Sequence, residues 1–401
     1  MDSLSRRPQT SIRRVADRLC QRSWFAALSI VVGAVVCGKA RERDNSAAGN
    51  VARANVNIYA HTRAEDLSPT ASAAKPLVYV PNSLSASVSI IDPTTYQVIR
   101  TISTGAVPQH VVPSFDMRRL WVLNNKAGTV TPIDPFSGNE GQQIAVTDPY
   151  NMYYSPDGSL AIVIAEAERR LDFRDPETMS LVRSLRAEHC KGIDHMEFTV
   201  DGRYGIATCE FSGQVVKVDL AENRVIGYLD LDPARPAKES MPQDIRSSAD
   251  GNSFYVADMM AGGVWIVDPY AFRVTGFIKT GVGTHGIYPS RDGRLLYVTN
   301  RGWSTIRGGL RGPGSISVID PATNKVTATW PIPGGGSPDM GNVTADGREL
   351  WVSGRYDSEV YVIDTRTGQL THRIPVGREP HGLCVWPQPG RYSLGHTGNM
   401  R

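Results

Sequence analysis

Seven short segments that alternate or are β-branched, each closing on an aspartate, run through the chain: SIID at Asp92, TPID at Asp134, DFRD at Asp175, VKVD at Asp219, WIVD at Asp268, SVID at Asp320 and YVID at Asp364. They are spaced by 42, 41, 44, 49, 52 and 44 residues. A second mark falls between them, a turn near Asp116 and then Asp-Gly pairs at Asp157, Asp201, Asp250, Asp292 and Asp346. Asp-Gly is a strong hairpin signal, because both central residues of the favoured two-residue turn need positive φ. Each unit therefore reads as four strands: one leading into the turn, one such as LYVTN after it, one ending in the aspartate, and a fourth such as QVIRTI. A period in the forties with four strands per unit is the signature of a β-propeller blade. Helical repeats would carry apolar residues at i, i+3 and i+4, which VSIID, YVID and LYVTN do not. The expected fold is all-β, a seven-bladed propeller of four-stranded blades over residues 76–390.

The two ends of that region complete each other. Residues 77–103 supply only three strands, LVYVPN, SVSIID and QVIRTI, and the missing first strand stands at the far end as HGLCVW, residues 381–386. Pairing them closes the ring and removes two open sheet edges. Residues 391–401 are left as a C-terminal tail.

The segments ahead of the repeat differ in kind. Of the 43 Lys+Arg and 40 Asp+Glu, residues 1–43 hold nine basic and three acidic groups, so the remainder is net negative. No general basic field exists to draw in a nucleic-acid backbone, and nucleic acid is disfavoured as a partner. Arg13, Arg14, Arg18 and Arg22 precede the uncharged run WFAALSIVVGAVVC and then Gly38-Lys39-Ala40. That order is a secretory signal peptide, and the run is shorter than the ~20 residues of a comfortable membrane span. Residues 1–40 are thus expected to be a leader, or an N-terminal anchor if uncleaved, which would be the only membrane attachment. Residues 41–75, polar and rich in Ala, Ser and Asn, read as a flexible linker. The expected localisation is exported: periplasmic, secreted or cell-surface.

LYVTN at residues 296–300 and GSISVIDPATNKV at residues 314–326 resemble the YVTN family of β-propeller repeats found in exported and surface-layer proteins. The likeness covers residues 76–390 and implies architecture rather than chemistry, because the fold hosts binding proteins, lyases and cofactor carriers. The repeat also resembles, more weakly, the propeller that holds d-type haem in nitrite reductases and haem-assembly proteins. Pro-His-Gly at 380–382 and Thr-His-Gly at 284–286 are similar to a motif of metal-dependent propeller lyases. Nothing in the chain matches CxxCH, GxSxG, HExxH or a P-loop.

Candidate site residues are those the repeat does not require. Ahead of each turn, near the start of the first strand, a polar residue recurs: His110, Asn151, His195, Asp244, His285, Asp339 and His381. That strand is innermost in a propeller, so these side chains are expected to converge at the mouth of the central channel. Imidazoles and carboxylates gathered there suit a metal or an anionic ligand, with His110, His195, His285 and His381 as candidate metal ligands. His285, Asp339 and His381 stand one residue further from their turns than the others, and a one-residue slip reverses a strand side chain. Unless Gly286, Gly341 and Gly382 absorb the slip as bulges, the ring divides into two sets.

Residues at the end of the second strand are expected around the same opening, with Glu210 near His195 and Asp258 near Asp244. The insertion RGWSTIRGGLRGPG offers Arg301, Trp303, Arg307 and Arg311 to grip a carboxylate, a phosphate or haem propionates. Outside the leader the cysteines are Cys190, Cys209 and Cys384. Counting across the Asp201-Gly202 turn sets Cys209 opposite Asp194 rather than Cys190, which speaks against a bridge, although export would permit one.

The reading that follows is a monomeric exported binding module that takes a small-molecule ligand or a protein partner at a polar channel mouth, with no reaction-defining motif. The alternative is a protein dependent on a divalent metal or d-type haem, a lyase or haem-handling factor that uses the channel histidines.

Overall fold

The computed structural model describes residues 56–234, 239–306, 309–396 and 398–401. The leader, the first part of the linker and Arg307 lie outside the described residues. The rest builds seven antiparallel sheets of four strands each, arranged as the seven-bladed propeller the repeat calls for. Six sheets are consecutive in sequence, and the seventh joins Cys384–Trp386 to the first three strands of the ring. Leu77 pairs with Trp386 and Tyr79 with Cys384, so the ends interlock as expected.

Burial runs from the axis outward. The innermost strands Pro108–Pro113, Pro149–Tyr154, Ile193–Phe198 and Pro242–Ser247 are buried along their whole length. The outermost strand Gln97–Ser103 is exposed except at Ile102. Apolar side chains of facing sheets fill the wedges between blades, as where Val112, Trp121 and Leu123 meet Met152, Ala161 and Val163. This face-to-face packing, not the individual hairpins, stabilises the ring.

The repeated aspartates are turn-closing groups. Asp92 Oδ1 accepts the amide of Thr94 at 2.8 Å, Asp134 Oδ1 that of Phe136 at 2.8 Å and Asp320 Oδ1 that of Ala322 at 2.8 Å. These local bonds replace the ladder where the chain reverses. Asn82, Asn124 and Asn300 lock blades internally: Asn300 Nδ2 donates to Ser315 Oγ at 3.2 Å and Ser317 Oγ at 2.9 Å. Asp258 does the same work. It accepts from Ser240 Oγ at 2.7 Å, Met241 N at 2.9 Å and Trp265 Nε1 at 3.0 Å, which removes it from the candidate site.

Three expectations need correction. Residues 56–75 are not free linker: Tyr59 is buried and donates its hydroxyl to Ser247 O at 2.9 Å, and Ala71 sits in one apolar cluster with Trp386 and Met400. Residues 391–401 are not a loose tail either. Tyr154 N donates to Leu394 O at 3.0 Å, His396 N to Met152 O at 2.9 Å, and Arg401 pairs with the buried carboxylate of Glu197 at 2.6 Å. This segment crosses the turn-proximal ends of the innermost strands.

The third correction concerns the cysteines. Cys190 and Cys209 are bridged, with Cα atoms 4.9 Å apart. A bulge between Ile193 and Met196 moves Cys209 opposite Ile193, and the turn at Gly192, φ +65, brings Cys190 back to it. For a separation of 19 residues the chain-entropy argument assigns the bridge about 3 kcal/mol.

Candidate functional site

The innermost strands share an irregularity that simple alternation cannot show. Pro108 pairs with Asn124 but the next pair is Val111 with Val122; Pro242 pairs with Asp258, then Ile245 with Val256. The same skip recurs at Thr284 to Ile287 and Pro338 to Gly341, and in shorter form at Pro149 to Asn151. A bulge re-aims side chains that strict alternation would send to opposite faces. It is therefore general, not a repair confined to three blades.

The one-residue offset in the sequence becomes two adjoining sets. His285, Asp339 and His381 occupy the first position of their bulges, whereas His110, His195 and Asp244 occupy the second. All seven predicted residues, Asn151 included, are at most 1% exposed. They form a buried cluster along the axis rather than a solvated rim. The rings make a chain: His285 to His381 at 5.8 Å between centroids, His381 to His110 at 4.8 Å and His110 to His195 at 5.6 Å. Gly382 makes room for this, since a Cβ there would lie 1.9 Å from His110 Nδ1.

The first set is organised by Asp339. His381 Nδ1 lies 2.6 Å from its Oδ2 and His285 Nδ1 3.1 Å from its Oδ1. Arg301 donates to it through Nε at 2.9 Å and again through Nη2, and Arg355 approaches to 3.5 Å. Burial opposes ionisation of Asp339, but Arg301 and the two imidazoles outweigh it and hold the carboxyl well below the usual range. Two guanidiniums already balance this carboxylate, so a metal ion has little to gain there.

The second set is organised by Asp244 and includes a histidine that the sequence pattern missed. His396, from the C-terminal segment, lies with Nε2 3.6 Å from Asp244 Oδ1, while His195 Nδ1 stands 3.8 Å from the same oxygen. Asn151 Nδ2 sits between the two rings, 3.1 Å from His195 Nδ1 and 3.0 Å from His396 Nδ1. The donor atoms of His195, Asp244 and His396 all fall within 4.8 Å of one another. His396 is reached through Gly395, φ +83, where a Cβ would meet Met152 O at 2.5 Å, and His396 itself has φ +33. A non-glycine residue held in that region costs of order 1–3 kcal/mol and concentrates at ligand sites. Nothing in a repeat-based reading points to His396, because it belongs to no blade.

Burial dominates the ionisation of both sets. It depresses His110, His195, His285, His381 and His396 well below the ordinary imidazole value, leaving them neutral and able to coordinate. It raises Asp244 to about 6 against the opposing pull of Arg246, 3.4 Å away.

Of the remaining candidates, Glu210 accepts from Gln243 Nε2 at 3.0 Å rather than meeting His195. Trp303 packs against Tyr356 with the ring planes tilted by 33° and the centroids 4.2 Å apart, pinning the insertion to the next blade, and Arg311 is exposed. Arg301 alone of the insertion's described residues enters the site. Asp194, which the sequence reading passed over, lies fully buried beside His195.

Glu210 carries a testable sign. Burial pushes it up to about 7 from 4.5, against Gln243, Arg301 and Arg355. The folded chain therefore holds this proton where the unfolded chain has released it. Its stabilising contribution is full below pH ~4.5 and is lost as pH rises towards ~7. Glu210→Gln should raise stability at pH 8 by on the order of 2 kcal/mol and change little at pH 4.5. Thermal melts at the two pH values check this, and an equal shift at both would show that ionisation is not the cause.

Residues 47–390 match the description of a YNCE-like beta-propeller. The chain belongs to that family. The YncE protein of Salmonella typhi is 25% identical over 185 residues, 44% of this chain and 48% of its own length. The chain thus spans about half the length of the curated relatives it matches. Among solved structures, the Pseudomonas aeruginosa periplasmic gluconolactonase PpgL is similar with a TM-score of 0.61 at 18% identity, covering 77% of this chain and 98% of that one. Dihydro-heme d1 dehydrogenase NirN, solved in complex with DHE, has a TM-score of 0.56 at 15% identity, covering 77% and 74%. These structural likenesses concern the fold alone. Membership of that family fixes the scaffold and leaves the chemistry to be argued from this chain's own residues.

Proposed function

We propose that this chain is an exported propeller binding module whose ligand is a divalent transition-metal ion, held on the channel axis by His195, Asp244 and His396. One observation carries the reading: three buried groups of metal-ligand type, distant in sequence, place their donor atoms within 4.8 Å of one another. Two donors bound at roughly 2.1 Å to one ion stand at most about 4.2 Å apart. The separations of 3.8 Å and 3.6 Å to Asp244 meet that limit. Arg246 favours the ionised form of Asp244 yet repels a cation, so the affinity falls below that of a site with an unopposed carboxylate.

Two further observations support the reading. A bridged Cys190–Cys209 suits an oxidising compartment outside the cytosol. Neighbouring rings 4.6 to 5.8 Å apart leave no slot for a tetrapyrrole, which favours a bare ion over d-type haem. The test is elemental analysis of the purified chain, followed by chelation and titration with Zn(II) or Co(II). Bound metal should appear, and His195→Ala or Asp244→Asn should weaken binding at least tenfold with the far-UV spectrum unchanged. A chelated protein that regains none of Zn(II), Co(II), Mn(II) or Cu(II) ends the proposal.

A further inference from the structure

The Asp339 half of the cluster holds more positive than negative charge. Arg301 and Arg355 both turn to this one carboxylate, while burial keeps His285 and His381 neutral. After burial, the strongest influence on His285 is Arg301 and the strongest on His381 is Arg355, each ahead of Asp339. A surplus guanidinium taken largely out of water calls for an anion.

The two arginines are not equivalent. Arg301 is spent on Asp339, to which Nε donates at 2.9 Å and Nη2 donates again. On Arg355, by contrast, the buried Nε and Nη1 atoms have no hydrogen-bond partner. Buried N–H groups are almost always paired, so this exception needs an acceptor. The ion contacts of Arg355 are loose: Nη1 stands 3.5 Å from Asp339 Oδ2, and Nη2 stands 3.9 Å from Glu379 Oε2, beyond hydrogen-bond reach. The Arg355 side chain is also 12% exposed, whereas those of Arg301, His285 and His381 are 2% exposed. A ligand coming from solvent therefore meets Arg355 first.

We propose that Arg355 captures a small organic carboxylate at the channel mouth, beside the pair formed by Asp339 and His381. The planar fork of a guanidinium matches the two oxygens of a carboxylate. The wall next to it is aromatic. Tyr356, the following residue, packs on Trp303, and its hydroxyl stands 3.5 Å from Arg301 Nη1. A positive fork beside aromatic rings suits an organic acid better than a cation. Glu379 is the carboxylate that such a ligand displaces from the guanidinium. The site shares no residue with the metal site formed by His195, Asp244 and His396, and neither reading depends on the other.

Isothermal titration of the chelated full chain with sodium acetate and with sodium benzoate, at an ionic strength matched with sodium chloride, tests this. Both acids should bind saturably. Arg355→Met should weaken binding roughly tenfold or more, and Arg355→Lys by less, because a point charge replaces the fork. Glu379→Gln should tighten binding, since it removes the competing carboxylate and leaves the guanidinium in place. This last variant keeps the test decisive where Arg355→Met does not fold. Absence of saturable binding of either acid by the wild type overturns the proposal, as does binding unchanged in Arg355→Met or in Glu379→Gln. Uptake of sodium sulfate with no uptake of either acid overturns the assignment to a carboxylate.

Discussion

A chain ending at Gly377 should lose its cooperative fold. It would lack Leu383, Cys384, Val385 and Trp386, each at most 5% exposed, and the pairing of Cys384–Trp386 with the first strand of the ring. Burying four such side chains is worth about 1.5–3 kcal/mol apiece, so the loss is about 6–12 kcal/mol, the size of a whole domain's stability. Glu197 would also be left buried without Arg401, a further ~3–5 kcal/mol. Circular dichroism melts and size-exclusion chromatography should show an expanded or aggregated species. A sharp melt within a few degrees of the full chain would mean that the ring does not depend on this closure. Stopping instead at Gly390 keeps the closing strand but removes His396 together with Leu394, Met400 and Arg401, so Glu197 again loses its partner. That variant should keep the ring, melt earlier through a loss of about the same 3–5 kcal/mol, and lose the metal at Asp244.

Asp339→Ala should be the most damaging single substitution in the cluster. Arg301, 2% exposed, donates to this carboxylate twice, and His285, His381 and Arg355 converge on it. Removing it leaves a buried guanidinium with no counter-charge, which costs about 3–5 kcal/mol. Chemical denaturation should report a loss of that size. Pairing the change with Arg301→Leu should restore part of it, because the orphaned charge leaves with its partner. A loss below ~1 kcal/mol would show that water reaches Arg301 and that the cluster is not sealed.

How much of this could be read without coordinates depended on the range of the interactions. The alternation of VSIID and YVID, the Asp-Gly turns and the strand missing from one end and present at the other are local features, and they gave the blade count and the closure. The one-residue offset of His285, Asp339 and His381 was visible too, and it does mark a division into two sets. Its meaning was not visible. The bulge lies in most innermost strands, so both positions of each bulge reach the axis, and counting by twos misplaced Asp194 and the partner of Cys209 alike.

The amino-acid order by itself determined the propeller, because hydrophobic alternation and turn chemistry act between near neighbours and repeat often enough to reinforce one another. Only the tertiary structure decided which polar groups meet. That outcome turned on a skipped ladder pair in the innermost strands and on a C-terminal segment that carries His396 to Asn151, 245 positions away in sequence. Contacts of that separation leave no periodic trace, since the chain must close around its axis before either partner exists for the other.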